Sequence, residues 1–266
     1  MDANVSPGTT PMPSVRINAL GSLEVYIAGG ATPFVNARVR KPLELLFALL
    51  AAGERGLAQH ILCEVLWAQS EGDAAYRSLI TTVYRLRNLL HCHEAVIFSA
   101  GVVALNPACC WIDAWEFERS LSELAESATR DRALATYRGP LLVDVDCPLV
   151  FETRERLRRK YVSAVLRRAQ SLERAGTWAA AVEIYEQAVD ADSGHEDLHR
   201  ALIRCLGQLG RTTAVMHAYQ RCKASLLRQF GIRPSAITER LYREARGAHS
   251  TADIRRFPVA ASAATL

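Results

Sequence analysis

The densest group of side chains that could do chemistry lies between residues 73 and 90. If this segment is a helix, with about 100° per residue, its apolar face consists of Leu79, Val83, Leu86 and Leu90. Almost opposite lie Arg77, Thr81, Tyr84, Arg85 and Asn88. In the major groove of DNA, arginine pairs with guanine, asparagine with adenine, and threonine contacts the thymine methyl group. The polar face therefore suits a helix that reads bases, and a merely solvated face is the alternative.

Three further cations are candidates for contacts with DNA phosphates, which fix the register of a protein on the duplex. Arg87 projects to the flank of the same helix, and Arg40 and Lys41 open an earlier predicted helix. Residues 1–111 contain eight Lys/Arg and eight Asp/Glu. Because this half has no net charge, affinity for DNA would have to come from a local patch and from dimerisation.

A zinc-protease motif is present by residue type but incomplete. His195 to His199 spell His-Glu-Asp-Leu-His, which on a helix can place two imidazoles on one zinc ion. The motif needs a third ligand, and the next carboxylate after Asp197 is Glu239. We therefore interpret the segment as an ordinary helix start.

The seven cysteines form no Cys-x-x-Cys pair, so we expect reduced thiols in a cytoplasmic protein. His91, Cys92 and His93 with Cys109 and Cys110 could be imagined as a metal site. Adjacent side chains diverge on a helix, however, and histidine near a helix C-terminus is favourable without any metal. The longest apolar stretch is too short to cross a membrane, and the first thirteen residues have no signal-peptide pattern. We predict no metal site and no membrane contact.

Enzyme signatures are otherwise missing from the sequence. Its three lysines follow Arg40, Arg159 and Cys222, so none belongs to a phosphate-binding Gly-Lys-Ser/Thr loop. Neither Gly-x-Ser-x-Gly nor Gly-x-Gly-x-x-Gly occurs. The basic run from Arg154 to Lys160 is interpreted as the solvated face of a helix, with a secondary contact to DNA or an acidic protein as the alternative. We therefore expect no cofactor and no enzymatic activity.

The elements that must position the polar helix follow from hydrophobic patterning. Alternating residues from Val15 to Gly29, with a third segment near Phe34 and Val35, predict a small antiparallel sheet. Apolar residues then recur three and four apart in two helices that precede the polar one, and Asp73 is the predicted N-cap of the polar helix. A hairpin with its turn at Ser99 to Gly101 follows the polar helix. A sheet, three helices and a hairpin, in this order, are typical of a winged helix-turn-helix.

The second half repeats itself at an offset of 34 residues, the tetratricopeptide period. The matching pairs are Leu172 with Leu206, Gly176 with Gly210, Ala180 with Ala214, Tyr185 with Tyr219, and Ala188 with Cys222. We predict a mainly α fold with a small β component: a winged helix-turn-helix followed by an all-α tetratricopeptide-like domain. The predicted limits are 15–111 and 112–246, with a flexible tail at 1–14 and a disordered tail at 247–266.

Two segment groups carry a resemblance to a known family. LLFALLAAG, LCEVLW and GDAAYRSLITTVYRLRNLL resemble the winged-helix half of bacterial transcriptional activator domain proteins, which include the Streptomyces antibiotic regulatory proteins. RGPLL, AGTWAAAVEIYEQAVDAD and FGIRPSAITERLY resemble their tetratricopeptide half. The match covers about residues 15 to 246, and both signatures occur in the family's order.

The resemblance implies a transcription activator that binds repeated promoter sites in double-stranded DNA and contacts RNA polymerase. The dimerisation expected from the charge balance would make it a homodimer on DNA. The implied polymerase contact is the loop formed by Ala68, Gln69, Ser70, Glu71 and Gly72. An alternative function is a protein-interaction module, in which the helical repeats hold a peptide or protein and the winged helix is a docking platform.

Overall fold

The computed structural model describes residues 13–27, 40–121 and 127–247, apart from the side chain of Ser127. The predicted strand near Phe34 and Val35 and nearly all of the two predicted tails lie outside these residues. Contacts between residues divide the chain into two compact units, 1–158 and 159–266. The predicted limit between residues 111 and 112 therefore falls inside the first unit, and as a domain limit it stays a prediction.

The first unit holds two small sheets and the winged-helix elements. In chain order these are β1 (Val15–Asn18), β2 (Glu24–Ile27), α1 (Arg40–Ala52), β3 (Leu57–Ala58), α2 (Gln59–Leu66), α3 (Gly72–Leu89), β4 (Val96–Ser99), β5 (Val102–Leu105), β6 (Cys110–Ile112), α4 (Asp113–Ser120) and α5 (Ser127–Thr136). The long helix α6 (Pro148–Arg174) crosses the boundary. The second unit continues with α7 (Trp178–Ala191), α8 (Glu196–Gln208), α9 (Thr212–Phe230) and α10 (Ala236–Gly247).

The first sheet has the strand order β2-β1-β6. The antiparallel pair of β1 and β2 agrees with the alternating pattern, whereas the parallel pairing of β1 with β6 joins segments about 95 residues apart, as in Val15 with Cys110. The buried carboxylate of Asp113 accepts hydrogen bonds from the backbone amides of Ala19 and Leu20, at 2.8 and 3.0 Å. These bonds fasten the start of α4 to the end of β1.

The second sheet, with the order β3-β5-β4, forms the wing. Ser99 pairs with Val102, so the turn contains two residues and not the predicted three. Ala100 and Gly101 both have positive φ, at 51° and 73°, which is the backbone of a type I′ hairpin turn. The Gln59 amide donates to the Gly101 carbonyl at 2.7 Å, which ties the wing tip to the start of α2.

The three helices of the winged helix-turn-helix form as the apolar spacing predicts. Their shared core consists of fully buried leucines: Leu45, Leu46, Leu49, Leu62, Leu79 and Leu86. The predicted N-cap Asp73 is wrong, since α3 begins at Gly72 and its N-cap is Glu71, whose side chain makes no capping bond. Asp73 lies in the first turn instead, where a carboxylate interacts favourably with the helix dipole.

The second unit repeats the same helix ending 34 residues apart, as the sequence offset predicts. Gly176 and Gly210 have φ of 74° and 71°, the left-handed conformation that ends a helix. The next amides, of Thr177 and Arg211, donate to Leu172 and Leu206 at 2.9 and 3.0 Å. The fold is thus mainly α with two small sheets, a winged helix followed by stacked helix pairs.

A single carboxylate joins three helices of this unit. Glu173 on α6 accepts hydrogen bonds from the hydroxyl of Tyr185 on α7, at 2.7 Å, and from Arg204 on α8, at 2.9 Å. Three residues after Arg204 on α8, a Cβ on Gly207 would lie 2.9 Å from the Ala245 Cβ, so glycine permits the close approach of α10. The polar hub and the small-residue contact fix the stacking of the helices.

Candidate nucleic-acid interface

Helix α3 has one buried and one exposed face. The buried side chains are Ala75, Leu79, Thr82, Val83 and Leu86. We call the opposite stripe the exposed face of α3, and its members are Asp73, Tyr76, Arg77, Ile80, Thr81, Tyr84, Arg85 and Asn88. All five residues that the sequence predicts as base readers lie on this stripe. Their spacing of three and four residues keeps them on one side of a rigid helix.

Most of these side chains are free to contact a ligand. Within the described part of the chain, Arg77, Arg85 and Asn88 have no side-chain hydrogen bond or ion pair. The Tyr84 side chain is also unpaired there, and Tyr84 is 58% exposed. Thr81 donates its hydroxyl to the Arg77 carbonyl at 3.0 Å, which leaves the methyl group and the acceptor lone pairs available. The stripe can therefore offer donors and a methyl group without breaking internal contacts.

Two members of the exposed face, Tyr76 and Ile80, are not among the residues predicted from the sequence. The Tyr76 ring packs edge-on against Phe98 of β4, with 6.4 Å between the ring centroids, and so braces the wing against α3. Ile80 is 45% exposed beside Thr81, where its methyl groups can contact a thymine methyl. The signal was present in the spacing, because residues 76, 80 and 84 lie four apart.

Arg87 has a structural contact that the sequence did not predict. Its Nε and Nη2 atoms both donate to the Val96 carbonyl, at 3.0 and 2.8 Å. These bonds join the last turn of α3 to the first residue of β4. The phosphate contact of Arg87 stays a prediction, and only the remaining guanidinium N–H groups are available for it.

The two cations that open α1 share one carboxylate. Glu44 accepts hydrogen bonds from Arg40 Nε at 2.7 Å and from Lys41 Nζ at 2.8 Å. Burial alone pushes the pKa of Glu44 upward, but the bonds from Lys41 and Arg40 outweigh it and hold that pKa below its usual value. A phosphate that binds either cation must therefore compete with Glu44.

Lys41 also positions the end of α2. Its Nζ atom donates to the Leu66 carbonyl at 2.6 Å and lies 5.6 Å from the centroid of the Trp67 ring. The ammonium group therefore satisfies a carbonyl at the helix C-terminus, where cations interact favourably with the helix dipole. Arg40 makes no such contact with any residue that the structure describes, and its side chain is 87% exposed.

The loop between α2 and α3 is exposed and borders a cavity. Ala68 to Glu71 are all exposed, while Gly72, the last residue of the predicted polymerase loop, is the first residue of α3. The Ser70 amide donates to the Trp67 carbonyl at 2.9 Å and closes the turn. The cavity, of about 610 Å³, is bordered by Cys63, Trp67 and Tyr76 among others. The loop is thus a solvent-facing edge beside an aromatic-lined recess.

The His-Glu-Asp-Leu-His segment lies at a helix start, in agreement with our interpretation. His195 is the N-cap of α8, and His199 is fully buried with its Nε2 atom 2.9 Å from the Ser193 carbonyl oxygen. Among the described residues, no three His, Cys, Asp or Glu side chains are grouped so that they could hold a metal ion. Across the same residues, no helix is both long and apolar enough to cross a membrane.

Comparisons with known proteins place this architecture in context. The model of the family described as "Bacterial transcriptional activator domain" matches residues 112–246. The transcriptional regulatory protein MoaR1 of Mycobacterium tuberculosis is 23% identical over an alignment of 249 residues, and the match covers 86% of this chain and 78% of that protein.

A solved structure shares the fold. EmbR of Mycobacterium tuberculosis, solved in complex with a low-affinity phosphopeptide, superposes with a TM-score of 0.55 at 21% identity. The match covers 92% of this chain but 66% of EmbR, just under two thirds of its length. Since the family model spans just over half of the sequence, the chain belongs to the bacterial transcriptional activator domain family, whose members are transcription regulators and not enzymes.

Proposed function

We propose that the chain is a transcription activator that binds promoter DNA by placing α3 in the major groove. The observation that carries this proposal is the exposed face of α3. There, arginine, asparagine and tyrosine side chains that have no partner among the described residues stand on a helix whose other face is buried. An α-helix fits the major groove, and these side chains match the hydrogen-bonding groups of base edges there.

We propose that different residues read the bases and contact the DNA phosphates. Arg77, Thr81, Tyr84, Arg85 and Asn88 contact base edges. Arg40, Lys41 and the free N–H groups of Arg87 contact phosphates, which set the register of the helix without reading sequence. Because Glu44 already neutralises part of the charge of Arg40 and Lys41, non-specific affinity is modest.

Dimerisation supplies the remaining affinity. Residues 1–111 have equal numbers of basic and acidic residues, so one copy has little long-range attraction for DNA. Two copies on repeated sites add their base contacts, and dimer binding at sites one helical turn apart is a common arrangement for helix-turn-helix proteins. We therefore propose a homodimer on promoter repeats.

The polymerase contact is assigned to the exposed loop Ala68, Gln69, Ser70 and Glu71, together with Gly72. This loop directly precedes the helix that enters the groove, so a chain bound to DNA presents it beside the promoter. In vitro transcription tests the assignment with Gln69→Ala and Glu71→Ala in one chain. We expect this variant to bind DNA like the parent and to lose activation. Unchanged activation would overturn the loop assignment.

Selection from a random duplex library tests the DNA-binding proposal. The full chain is expected to enrich one repeated consensus sequence, and a variant with Arg77, Arg85 and Asn88 all replaced by alanine is expected to enrich none. These side chains have no hydrogen bond or ion pair with the described residues, so the variant is expected to fold, and circular dichroism checks this. Equal enrichment by both proteins would refute the assignment of α3.

A second candidate function is a protein-interaction module. It is favoured by four exposed apolar side chains around the turn between α9 and α10: Leu227, Phe230, Ile232 and Ile237, each 50% to 58% exposed. Such a patch can hold an apolar peptide segment. A pure interaction module would recover no consensus in the same selection, so the two functions are distinguished by one experiment.

A further inference from the structure

A row of large apolar side chains runs along the exposed face of α3. It consists of Tyr76, Ile80 and Tyr84, which are four residues apart and therefore neighbours on one side of the helix. We call this row the apolar ridge of α3, and its members are 41% to 58% exposed. Single exposed apolar side chains are common, whereas three in one row indicate a surface that contacts a partner.

Two contacts place the ridge on the wing side of α3. At the start of the ridge, the Tyr76 ring packs against Phe98 of β4, with 6.4 Å between the ring centroids. At its end, Arg87 lies on the same side of the helix and donates to the Val96 carbonyl of β4. The strand β4 therefore flanks the ridge.

Hydrogen-bonding side chains flank the ridge on its other side. Arg77, Thr81 and Arg85 each follow a ridge residue in the sequence, so they stand about 100° further round the helix. Neither arginine has a side-chain hydrogen bond or ion pair within the described part of the chain. Thr81 donates its hydroxyl to the Arg77 carbonyl and keeps its methyl group available. A partner on this face must therefore offer apolar groups beside hydrogen-bond acceptors.

A thymine-adenine pair meets both demands in the major groove. Thymine presents its C5-methyl group there beside the O4 acceptor, and adenine adds the N7 acceptor. A guanine-cytosine pair presents acceptors and a donor but no methyl group. An apolar protein surface would cover the ridge but leave the two arginines without partners, and burying an unpaired charge costs free energy. The chemistry of the face therefore favours DNA that contains thymine.

We propose that the apolar ridge of α3 reads thymine methyl groups, so that each promoter repeat contains a thymine in contact with Ile80. This inference rests on the proposed function, because it names the base that the helix prefers at the site already assigned to DNA. Tyr76 is held by Phe98, which leaves Ile80 and Tyr84 as the members with free surface. These two lie about 6 Å apart along the helix axis, and base pairs follow one another at about 3.4 Å. In a helix that lies along the groove, they contact different base pairs.

Deoxyuridine provides the test, because it pairs with adenine as thymine does and lacks only the C5-methyl group. In the duplex that the wild-type chain selects, each thymine is replaced in turn by deoxyuridine, and fluorescence anisotropy measures the affinity. Loss of one buried methyl group corresponds to about a fourfold loss of affinity. We expect this loss at the thymine that Ile80 contacts, and no change at thymines outside the contact with α3.

The variant Ile80→Ala identifies the side chain that reads the methyl group. The substitution removes no hydrogen bond, and alanine is favourable in a helix, so the variant should fold. It should bind the thymine and the deoxyuridine duplex with equal affinity at that one position. Val65→Ala is the matched control, because Val65 is an exposed apolar residue on α2 and not a member of the ridge. This control should keep the wild-type preference for thymine over deoxyuridine.

Three results would overturn the assignment of the ridge while DNA binding stands. The selected consensus could lack thymine, the wild-type chain could bind the thymine and deoxyuridine duplexes equally at every position, or Ile80→Ala could keep the full preference for thymine. If Ile80→Ala keeps that preference but changes the sedimentation of the DNA-free chain, the ridge contacts a second copy of the chain instead. A wild-type chain that enriches no consensus at all would refute the proposed function, and the assignment of the ridge with it.

Discussion

Replacing Arg85 with alanine separates base reading from folding. The Arg85 side chain is exposed on α3 and has no hydrogen bond or ion pair in the described part of the chain. Its removal should therefore change the free energy of unfolding by less than about 0.5 kcal/mol. A good bidentate contact between arginine and guanine contributes roughly 1 to 3 kcal/mol of discrimination. The preference for the correct base pair should thus fall by about 5- to 150-fold.

Fluorescence anisotropy at fixed salt measures this change. The duplex selected by the wild-type chain is compared with duplexes in which one base pair is altered. At the base pair that Arg85 contacts, Arg85→Ala should bind the four possible base pairs with nearly equal affinity. At the other base pairs of the site, the variant should discriminate as the wild-type chain does.

A matched control removes the same charge from another surface. Arg55 is exposed on the short 3-10 turn Gly53–Arg55 after α1 and is likewise unpaired among the described residues. Arg55→Ala should lower the affinity for all duplexes by the same factor or leave it unchanged. Arg85 does not read a base if Arg85→Ala discriminates between duplexes like the parent, or if it loses affinity equally for every duplex.

Three other predictions address the supporting structure. Glu44→Gln removes the carboxylate that pairs with the two cations that open α1. Filter binding should then show higher affinity for duplexes of any sequence and a steeper fall of affinity with salt concentration. An unchanged salt dependence contradicts the proposed phosphate contacts. Gly56→Ala should lower the free energy of unfolding by about 2 kcal/mol or more in urea titrations, because Gly56 has φ of 65° and a Cβ there would lie 2.3 Å from the Val103 carbonyl oxygen. A loss below about 0.5 kcal/mol would count against that close approach. Burial lowers the pKa of His199 below its usual value of 6.5, so at acidic pH the unfolded chain binds a proton that the folded chain excludes. The free energy of unfolding should therefore fall as the pH drops below 6.5, by at most about 1.4 kcal/mol per pH unit. His199→Gln should flatten the pH dependence between pH 6.5 and 5.5, and an unchanged slope would assign it to another group.

The two faces of α3 could be predicted from the sequence because they depend on helical periodicity alone. Leu79, Val83 and Leu86 recur at the helical period, and the core packs on them as expected. The repeated helix endings at Gly176 and Gly210 could be predicted for a similar reason, since the same backbone conformation needs the same residue type. Local rules therefore accounted for the elements and for the orientation of the base-reading candidates.

Contacts that depend on backbone groups or distant segments could not be predicted in this way. The partner of Arg87 is a carbonyl nine residues along the chain, which no pattern of side chains reveals. The parallel pairing of β1 with β6 joins two strands that lie about 95 residues apart in the sequence. Tertiary contacts bring them together, and no local sequence pattern encodes that pairing. By contrast, Glu44 lies three and four residues after Lys41 and Arg40, and that spacing was a readable signal of ion pairing.

Equal positions in a repeat can also have different surroundings. Tyr185 is fully buried and donates its hydroxyl to Glu173, whereas Tyr219, 34 residues later, stacks on Tyr242 with 4.1 Å between the ring centroids. The shared period gives both tyrosines the same place on their helices. Their neighbours differ because α10 packs beside the second helix pair, so a repeat predicts position but not contacts.

Genome-wide footprinting in cells tests whether the exposed face of α3 reads promoter sequence. Cells containing the parent chain are compared with cells containing the variant in which Arg77, Arg85 and Asn88 are alanine, at equal protein levels. In cells with the parent chain, we predict a limited set of protected promoter sites, all of which contain one repeated consensus sequence. In cells with the variant, we predict that these sites lose their protection. Protection of the same sites by both proteins, or no protected sites with the parent, would contradict the claim.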